Sequence, residues 1–322
     1  MQFARCFQFA TALALAAAVS LPAAAQQTLR LAYLRTPAII PVLDAQAMGY
    51  FKKEGITVDL ITLNNGPAAV AAVVSGSADI GYAANLPLIS AVAQHQPIRA
   101  FLTNDFERWP GPIFTYLIAS AHSGVKTLAG LQGKTAASNA TNGGCDLMIR
   151  DHLRAAGVPA SAVHMAVVPF PQMKAALQLG TVDAVCIIPP FYEAVMQSPQ
   201  IKPIVLAKGA VADLKQIGSF PISCYFARPD WLARNRKAAA GFMRALMAAN
   251  KDLAAHPDKF HRMIVKAFGL PEALADQIPD ALNTTSMVAV SKDYKPAIDG
   301  LVRTELLAKP IPPQDVVYTI TP

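Results

Sequence analysis

One short phrase occurs twice in this chain, at a distance of 104 residues. Residues 72–87 read AVVSGSADIGYAANLP, and residues 176–191 read ALQLGTVDAVCIIPPF. Superposing them places a glycine on a glycine and Asp79 on Asp183, each inside an apolar frame. Because one offset aligns both a glycine that can end a helix and an aspartate before an apolar strand, we interpret the phrase as two copies of one structural unit.

The same offset holds beyond the phrase. Arg30 falls on Lys134, and each copy contains a helix opened by proline and closed by glycine, over residues 67–76 and 171–180. In both copies the predicted order is strand, loop, helix, strand, proline-started helix, Gly-x-x-Asp turn and strand. Strands that alternate with helices predict parallel sheets with right-handed crossovers. We therefore predict an α/β protein with two similar lobes, the alternative being one larger doubly wound sheet.

The earlier helix of each copy is predicted over residues 41–55 and 143–157, each ended by a glycine. Two extended apolar segments, residues 113–120 and 221–232, bracket the second copy. We predict that the chain leaves the first lobe on one segment and returns on the other, which gives a two-strand hinge. The predicted divisions are lobe 1 over residues 26–115, lobe 2 over 116–221, and a return to lobe 1 with C-terminal helices over 222–322.

The N-terminus has the pattern of a secretory signal peptide. Arg5 precedes a short apolar run, and Ala23-Ala24-Ala25 is an A-x-A cleavage site. We expect residues 1–25 to be removed after export, which leaves 297 residues, and we expect a periplasmic location. Export implies an oxidising compartment. The remaining cysteines are odd in number and widely spaced, and they are Cys145, Cys186 and Cys224. At most one disulfide can therefore form. Free thiols in the core are the favoured interpretation, and which pair would form a disulfide is left open.

Sequence signatures of catalysis are absent. There is no G-x-S-x-G elbow and no G-x-G-x-x-G after a strand. His256 and His261 are five residues apart rather than four, so they do not share one helical face, which disfavours a zinc pair. The basic residues are scattered, which disfavours nucleic acid. The segment NDFERWPGP, residues 104–112, collects Asp105, Glu107, Arg108 and Trp109. We interpret it as a solvated loop with its own ion pairs, the alternative being a loop that binds a ligand. We predict no enzyme activity, no cofactor, no metal and a monomer.

In parallel α/β sheets, ligands bind outside the carboxyl ends of the strands, where loops enter helix N-termini. Six loops of this sequence occupy such positions. Arg35 follows the first strand and is the candidate partner for an anion. Phe170, Phe191 and Tyr192 are candidate apolar walls. Polar donors at these loops have helix capping as their alternative role, and they are Asn64, Asn65, Asn85, Ser138, Asn139, Thr141 and Asn142.

Several segments are similar to a known family. GYFKKEGI, SGSADIGYAANLP, LAGLQGKTAA, LQLGTVDA and PPFYEAV resemble periplasmic substrate-binding proteins of ABC importers, in the nitrate, sulfonate, taurine and thiamine-precursor branch. The resemblance covers about residues 28–260. It implies the type II periplasmic-binding-protein fold and delivery of a ligand to a membrane permease with its ATPase. It also implies pocket contacts from the loops at Arg35, Asn65 and Asn85, from Thr141 to Cys145, and from Pro189, Pro190 and Phe191.

Two departures from the family separate this chain from its relatives. Family members often carry an aromatic-acidic-Pro-Phe motif where this chain has Ile188-Pro189-Pro190-Phe191. The Cys-rich active segment of the fungal thiamine-pyrimidine synthases is missing. We therefore predict a solute-binding protein that closes its lobes around a small organic anion, a sulfonate or carboxylate. The alternatives are a thiamine-precursor-like heterocycle as ligand, an exported enzyme on the same scaffold, and an extracytoplasmic sensory domain.

Overall fold

The computed structural model describes residues 26–280, 282, 283 and 286–322. The predicted signal peptide, residues 1–25, lies outside the described residues. Within the described part, no helix is both long enough and apolar enough to cross a membrane.

The first half of the chain alternates strands and helices. It begins with β1 Gln27–Leu34 and a 3-10 turn Pro37–Ile39. The elements that follow are α1 Ile40–Ala47, α2 Tyr50–Lys53, β2 Ile56–Leu63, α3 Gly66–Val74, β3 Ile80–Ala84, α4 Asn85–Ala93 and β4 Arg99–Arg108. The single helix predicted over residues 41–55 is thus divided, because Gly49 adopts a left-handed conformation with φ +69°.

The second half repeats this order. Its strands are β5 Tyr116–Ser120, β6 Thr135–Ser138, β7 His164–Val167, β8 Ala184–Ile187 and β9 Pro203–Lys208. Its helices are α5 Gly144–Ala155, α6 Phe170–Leu179 and α7 Phe191–Met196. Its 3-10 turns are Ala121–Ser123, Ala129–Leu131 and Ala160–Ala162.

The remainder of the chain is mainly helical. It comprises α8 Leu214–Ile217, β10 Ser219–Ala227, α9 Pro229–Arg234, α10 Arg236–Ala255, α11 Pro257–Phe268, α12 Glu272–Ala275 and α13 Lys295–Arg303. Two 3-10 turns, Ser291–Tyr294 and Pro313–Val316, complete it. Buried side chains of α10 share one hydrophobic core with β1 and β2, so this helix packs on the first sheet.

The described strands form two five-stranded sheets of matching topology. The strand orders are β2-β1-β3-β10-β4 and β7-β6-β8-β5-β9. Leu31 lies opposite Leu60 in the first sheet, and Thr135 lies opposite His164 in the second, so the offset of 104 extends to the register. The predicted sheets were parallel, whereas each sheet also contains an antiparallel strand, β10 or β5. Each of these strands follows a crossing between the lobes, and each runs opposite to the repeat strand beside it.

The residues shared by the two copies of the phrase hold the scaffold together. Gly76 and Gly180 follow α3 and α6 with φ of +79° and +67°. The Asp79 carboxylate accepts a hydrogen bond from the backbone N–H of Arg30 at 2.9 Å and forms an ion pair with its guanidinium. Asp183 accepts one from the backbone N–H of Thr135 at 2.8 Å.

The chain crosses between the lobes next to the predicted hinge segments. Residues 113–120 and 221–232 mostly belong to β5 and β10, which lie in different sheets. The crossings are residues 109–115 and 209–218, and they bond to each other: Gly209 N–H donates to Thr115 O and Trp109 N–H donates to Gly218 O, both at 2.8 Å. The prediction was displaced by a few residues because apolar extended segments mark strands more strongly than short crossings.

Candidate functional site

A cavity of about 120 Å³ lies between the two lobes. Lobe 1 contributes the ends of β1 and β3 and the start of α4, and lobe 2 contributes the loop after β6 and the start of α5. The crossings contribute Phe114, Thr115 and Ala210. The cavity is therefore lined by both lobes and by both crossings, at the strand ends where α/β proteins bind ligands.

The cavity wall is mostly apolar. Aromatic and aliphatic side chains include Phe114, Phe170, Phe220, Leu86 and Ile222. The polar side chains among the described lining residues are Thr36, Tyr82, Asp105, Thr115, Asn139 and Ser223. That described lining contains no lysine, arginine or histidine.

Asp105 is the charged side chain of this lining. It lies on β4 opposite Ser223 of β10, and its side chain accepts a hydrogen bond from the Ser223 hydroxyl. Asp105 is only 5% exposed, and this burial raises the pKa of its carboxyl to about 6. The Tyr82 hydroxyl, on the next strand, lies 3.4 Å from the Thr36 hydroxyl. Three neighbouring strands thus bring one carboxylate and several hydroxyls to the same wall.

Glu107, two residues further along β4, has a different role. Its Oε1 accepts hydrogen bonds from the backbone N–H groups of Phe114 and Thr115, at 2.8 and 2.7 Å. Its Oε2 accepts one from Ala210 N–H at 2.5 Å. Glu107 therefore joins the two crossings to lobe 1, and its charge is satisfied by backbone donors.

Four of the residues predicted for the site line the cavity: Asn139, Cys145, Phe170 and Pro189. Cys145 forms a disulfide with Cys186 across a Cα–Cα distance of 5.4 Å, whereas Cys224 is a buried free thiol. The preference for free thiols was wrong for the first two. They meet because α5 starts at the carboxyl end of β6, next to β8, a proximity that sequence spacing does not reveal.

Arg35 is an exposed residue outside the described cavity lining, although Leu34 and Thr36 belong to that lining. Its guanidinium donates to the carbonyl of Ala267 and lies over the ring of Phe268, 5.6 Å from the ring centroid. The structure therefore directs it toward the end of α11. Anion binding by Arg35 stays a prediction.

Several predicted donors make local hydrogen bonds. Asn65 caps α3 by accepting from Ala68 N–H at 2.9 Å. The Ser138 hydroxyl donates to Ala140 O at 2.9 Å, and the exposed Asn142 donates its backbone N–H to Asp146 at 2.9 Å. Thr141 is exposed on the same loop.

The other predicted residues lie beside the lining. Asn85, between the lining residues Ala84 and Leu86, is fully buried, and neither polar atom of its amide has a hydrogen-bond partner. Pro190 precedes α7 and is buried. Phe191 stacks on the lining residue Phe170, with ring centroids 5.8 Å apart, and Tyr192 stacks on Tyr116 at 3.8 Å; neither Phe191 nor Tyr192 belongs to the described lining.

Sequence reasoning did not identify Tyr82, Thr36 or Ser223 as cavity residues, and it placed Asp105 on a loop. The segment 104–112 was interpreted as a loop, whereas residues 104–108 belong to β4, so Asp105 is a buried strand residue. The sequence did contain a signal, because a carboxylate is costly to bury within an apolar strand and therefore indicates a specific role.

Among the residues that the structure describes, no group of three or more histidine, cysteine, aspartate or glutamate side chains is placed to hold a metal ion.

The fold and the cavity define a class, that of bilobal proteins with the periplasmic-binding-protein fold. The sequence profile of the family described as NMT1/THI5 like matches residues 36–260. The chain belongs to the NMT1/THI5-like family.

Relatives extend this assignment. An aliphatic sulfonates-binding protein of Escherichia coli (strain K12) is 26% identical over 228 residues, which is 71% of this chain and 67% of the relative. A 4-amino-5-hydroxymethyl-2-methylpyrimidine phosphate synthase of Schizosaccharomyces pombe is 31% identical over 101 residues, which is 31% of this chain and 27% of the enzyme.

A solved structure confirms the fold class. The alkanesulfonate-binding protein of Xanthomonas axonopodis pv. citri, bound to MOPS, superposes with a TM-score of 0.77 at 18% identity. The match covers 91% of this chain and 98% of that one. Identity at this level establishes a shared fold of two α/β lobes.

Proposed function

We propose that this protein is the solute-binding component of an ABC importer, exported to the periplasm, which encloses a small organic molecule between its lobes and delivers it to the permease. The observation that carries this proposal is the interlobe cavity, lined by both lobes and by both crossings. The family and the Escherichia coli sulfonates-binding relative support the transport role. The disulfide supports an oxidising compartment.

The cavity suits a ligand with an apolar body. A sulfonate or carboxylate, which we predicted from the sequence, requires hydrogen-bond donors or a cation at its anionic end. The described lining offers no basic side chain, and the carboxylate of Asp105 would repel an anion. The alternative ligand class, a heterocycle that is neutral or cationic, therefore agrees better with the lining.

Ligand binding acts by population shift. A molecule that contacts both lobes stabilises the closed arrangement, and the permease recognises that arrangement. A thermal-shift screen of sulfonates, nitrate, aromatic carboxylates and aminopyrimidines tests the binding role. A ligand at about 100 times its Kd adds about 2.7 kcal/mol of stability.

Small-angle scattering on the stabilised complex tests closure. We expect the radius of gyration to decrease when a compound from the screen saturates the protein. An unchanged radius with a saturating ligand would refute the hinge mechanism. Conversion of the compound into a product by the purified protein would favour the enzyme alternative.

A further inference from the structure

Asp105 is unusual among the buried aspartates of this protein. Asp44 pairs with Lys259 at 2.6 Å, Asp146 with Arg150 at 2.7 Å, and Asp151 with Arg303 at 2.6 Å. None of the ion pairs in the described residues includes Asp105, whose carboxylate is bonded by uncharged groups: the hydroxyl and backbone N–H of Ser223, the Asn104 side chain and its own backbone N–H.

Burying a carboxylate without a cation is costly, so such groups are rare unless other groups satisfy them. Glu107 is satisfied by three backbone N–H donors that tie the crossings together. Glu193 is also buried without an ion pair among the described residues, but it does not line the cavity. Asp105 combines a buried, unpaired carboxylate with a position on the cavity wall.

We propose that Asp105 is the counter-charge for the ligand and that this ligand is a small organic cation, an ammonium or amidinium on an apolar body. The inference rests on the proposed solute-binding function and specifies its substrate class. The oxygens of Tyr82 and Thr36 lie on the same wall and accept further N–H bonds, while Phe114, Phe170 and Phe220 contact the apolar body.

The charge of the ligand follows from the balance of forces in the cavity. A cation placed beside Asp105 gains a charge-assisted hydrogen bond in surroundings of low polarity. A neutral molecule of the same shape gains only the apolar contacts. An anion of the same shape meets a like charge and finds no basic side chain in the described lining.

Two sets of shape-matched probes separate these cases. Benzamidine, benzamide and benzoate share a ring and a trigonal substituent but carry charges of about +1, 0 and −1 near pH 8. The aliphatic set is n-butylamine, n-butanol and butanoate. Thermal shift and titration calorimetry on the full-length mature protein give Kd for each probe. We expect at least one of the two cations to bind more tightly than its neutral and anionic partners.

Two variants test whether Asp105 causes the preference for cationic probes. Asp105→Asn keeps the shape and removes the charge, and we expect cation affinity to fall about ten- to hundredfold while the neutral probe changes little. Asp59→Asn removes the same charge from an exposed residue of β2, and it should leave every Kd unchanged.

The outcomes separate this proposal from the proposed function. Equal or tighter binding of the anionic or neutral probes overturns the charge assignment but retains a solute-binding protein. Cation binding that survives Asp105→Asn overturns the role of Asp105. Stabilisation by none of the cations at about 100 mM overturns the substrate class, and a scattering curve unchanged by any bound compound overturns the hinge function itself.

Discussion

Two carboxylates on one strand illustrate how position decides the role of a residue. Asp105 and Glu107 are two residues apart on β4, so they share one face of the sheet, and both are buried. Glu107 receives three backbone donors from the crossings, whereas Asp105 lines the cavity and is bonded by Ser223 and Asn104. The first holds the scaffold, and the second is available to a ligand.

Asp105 is buried and has no cation partner among the described residues, which predicts that the stability of the fold depends on pH. Its folded-state pKa of about 6 exceeds the ordinary value of 3.8, so ionisation destabilises the ligand-free fold as the pH rises from about 4 to 6. Burial raises the pKa values of the neighbouring Tyr82, Cys224 and Tyr225, which stay neutral over this range. Asp105→Asn should therefore stabilise the protein at pH 8 by ~2 kcal/mol, and by less at pH 4.5.

Urea unfolding of wild type and Asp105→Asn at both pH values measures this difference. The exposed Asp59→Asn substitution controls for net charge and should change stability by no more than ~0.5 kcal/mol. A variant that is less stable than wild type at pH 8 would mean that the Asp105 charge is satisfied within the fold.

At the scale of elements, helix α5 links the two lobes. Its first turn lines the cavity, and Cys145 ties it to β8 of its own lobe. Leu147 packs in a core that otherwise belongs to lobe 1 and the return crossing. Near its end, Asp151 accepts bonds from Arg303 of α13 at 2.6 and 2.9 Å, and Arg303 also bonds Asp213. Helix α5 thus contacts the cavity, the other lobe and the return crossing.

Removing Arg303 should be far more damaging than removing its neighbour. Burial opposes ionisation of Asp151, but hydrogen bonds from Arg303 and Ala212 hold its pKa below the ordinary value. Arg303→Ala leaves this charge buried without its main partner, at a cost of ~3–5 kcal/mol. Arg154→Ala is the matched control, because Arg154 is half exposed and 3.5 Å from the same carboxylate, and it should cost less than ~1 kcal/mol.

Chemical denaturation near pH 7 compares these two variants. The stabilisation from Asp151 should decline as the pH falls below about 4, because its folded-state pKa lies under the unfolded value. Equal losses in Arg303→Ala and Arg154→Ala would contradict the assigned link.

The disulfide makes an independent prediction. It closes a loop with a sequence separation of 41 residues, for which chain entropy gives a stabilisation of about 3–4 kcal/mol. The double substitution Cys145→Ser with Cys186→Ser should lose this amount, and dithiothreitol should have no further effect on it. Cys224→Ala should retain the full sensitivity to reductant, since that thiol is unpaired. Reductant-insensitive wild-type unfolding would argue against the disulfide in solution.

At the scale of the whole molecule, two copies of one unit form two lobes that meet over a cavity. The copies share their glycine stops and aspartate clamps, while the segments that follow each copy differ: AANLP in one and IIPPF in the other. Ala84 and Leu86 from the first and Ile188 and Pro189 from the second line the cavity. The repeated residues form the scaffold, and the differing segments form different walls of the cavity.

Filling the cavity with a larger side chain tests whether the ligand binds there. Gly144 lines the cavity from α5, and a Cβ there would lie 3.5 Å from the Ala84 side chain in the other lobe. Gly144→Phe should abolish stabilisation by any compound that stabilises wild type. Gly144→Ala adds only an ordinary contact and should retain binding, as measured by calorimetry. Unchanged affinity in Gly144→Phe would place the ligand elsewhere.

Much of the scaffold follows from local sequence. Alternating strand and helix patterns, proline starts, glycine stops and the offset of 104 predict two lobes, because these signals act over a few residues. The crossings were predicted only to within a few residues. The antiparallel strands were not predicted, because strand direction depends on the route that the chain takes between the lobes.

The site divides in the same way. The sequence alone predicted a site at the strand ends, and Asn139, Cys145, Phe170 and Pro189 from that prediction line the cavity. Only the tertiary structure decided that Arg35 contacts α11, that Cys145 bonds Cys186, and that Asp105 lies buried without a cation. The physical reason is that periodicity and turn chemistry are local, whereas charge pairing and burial depend on which distant strands become neighbours.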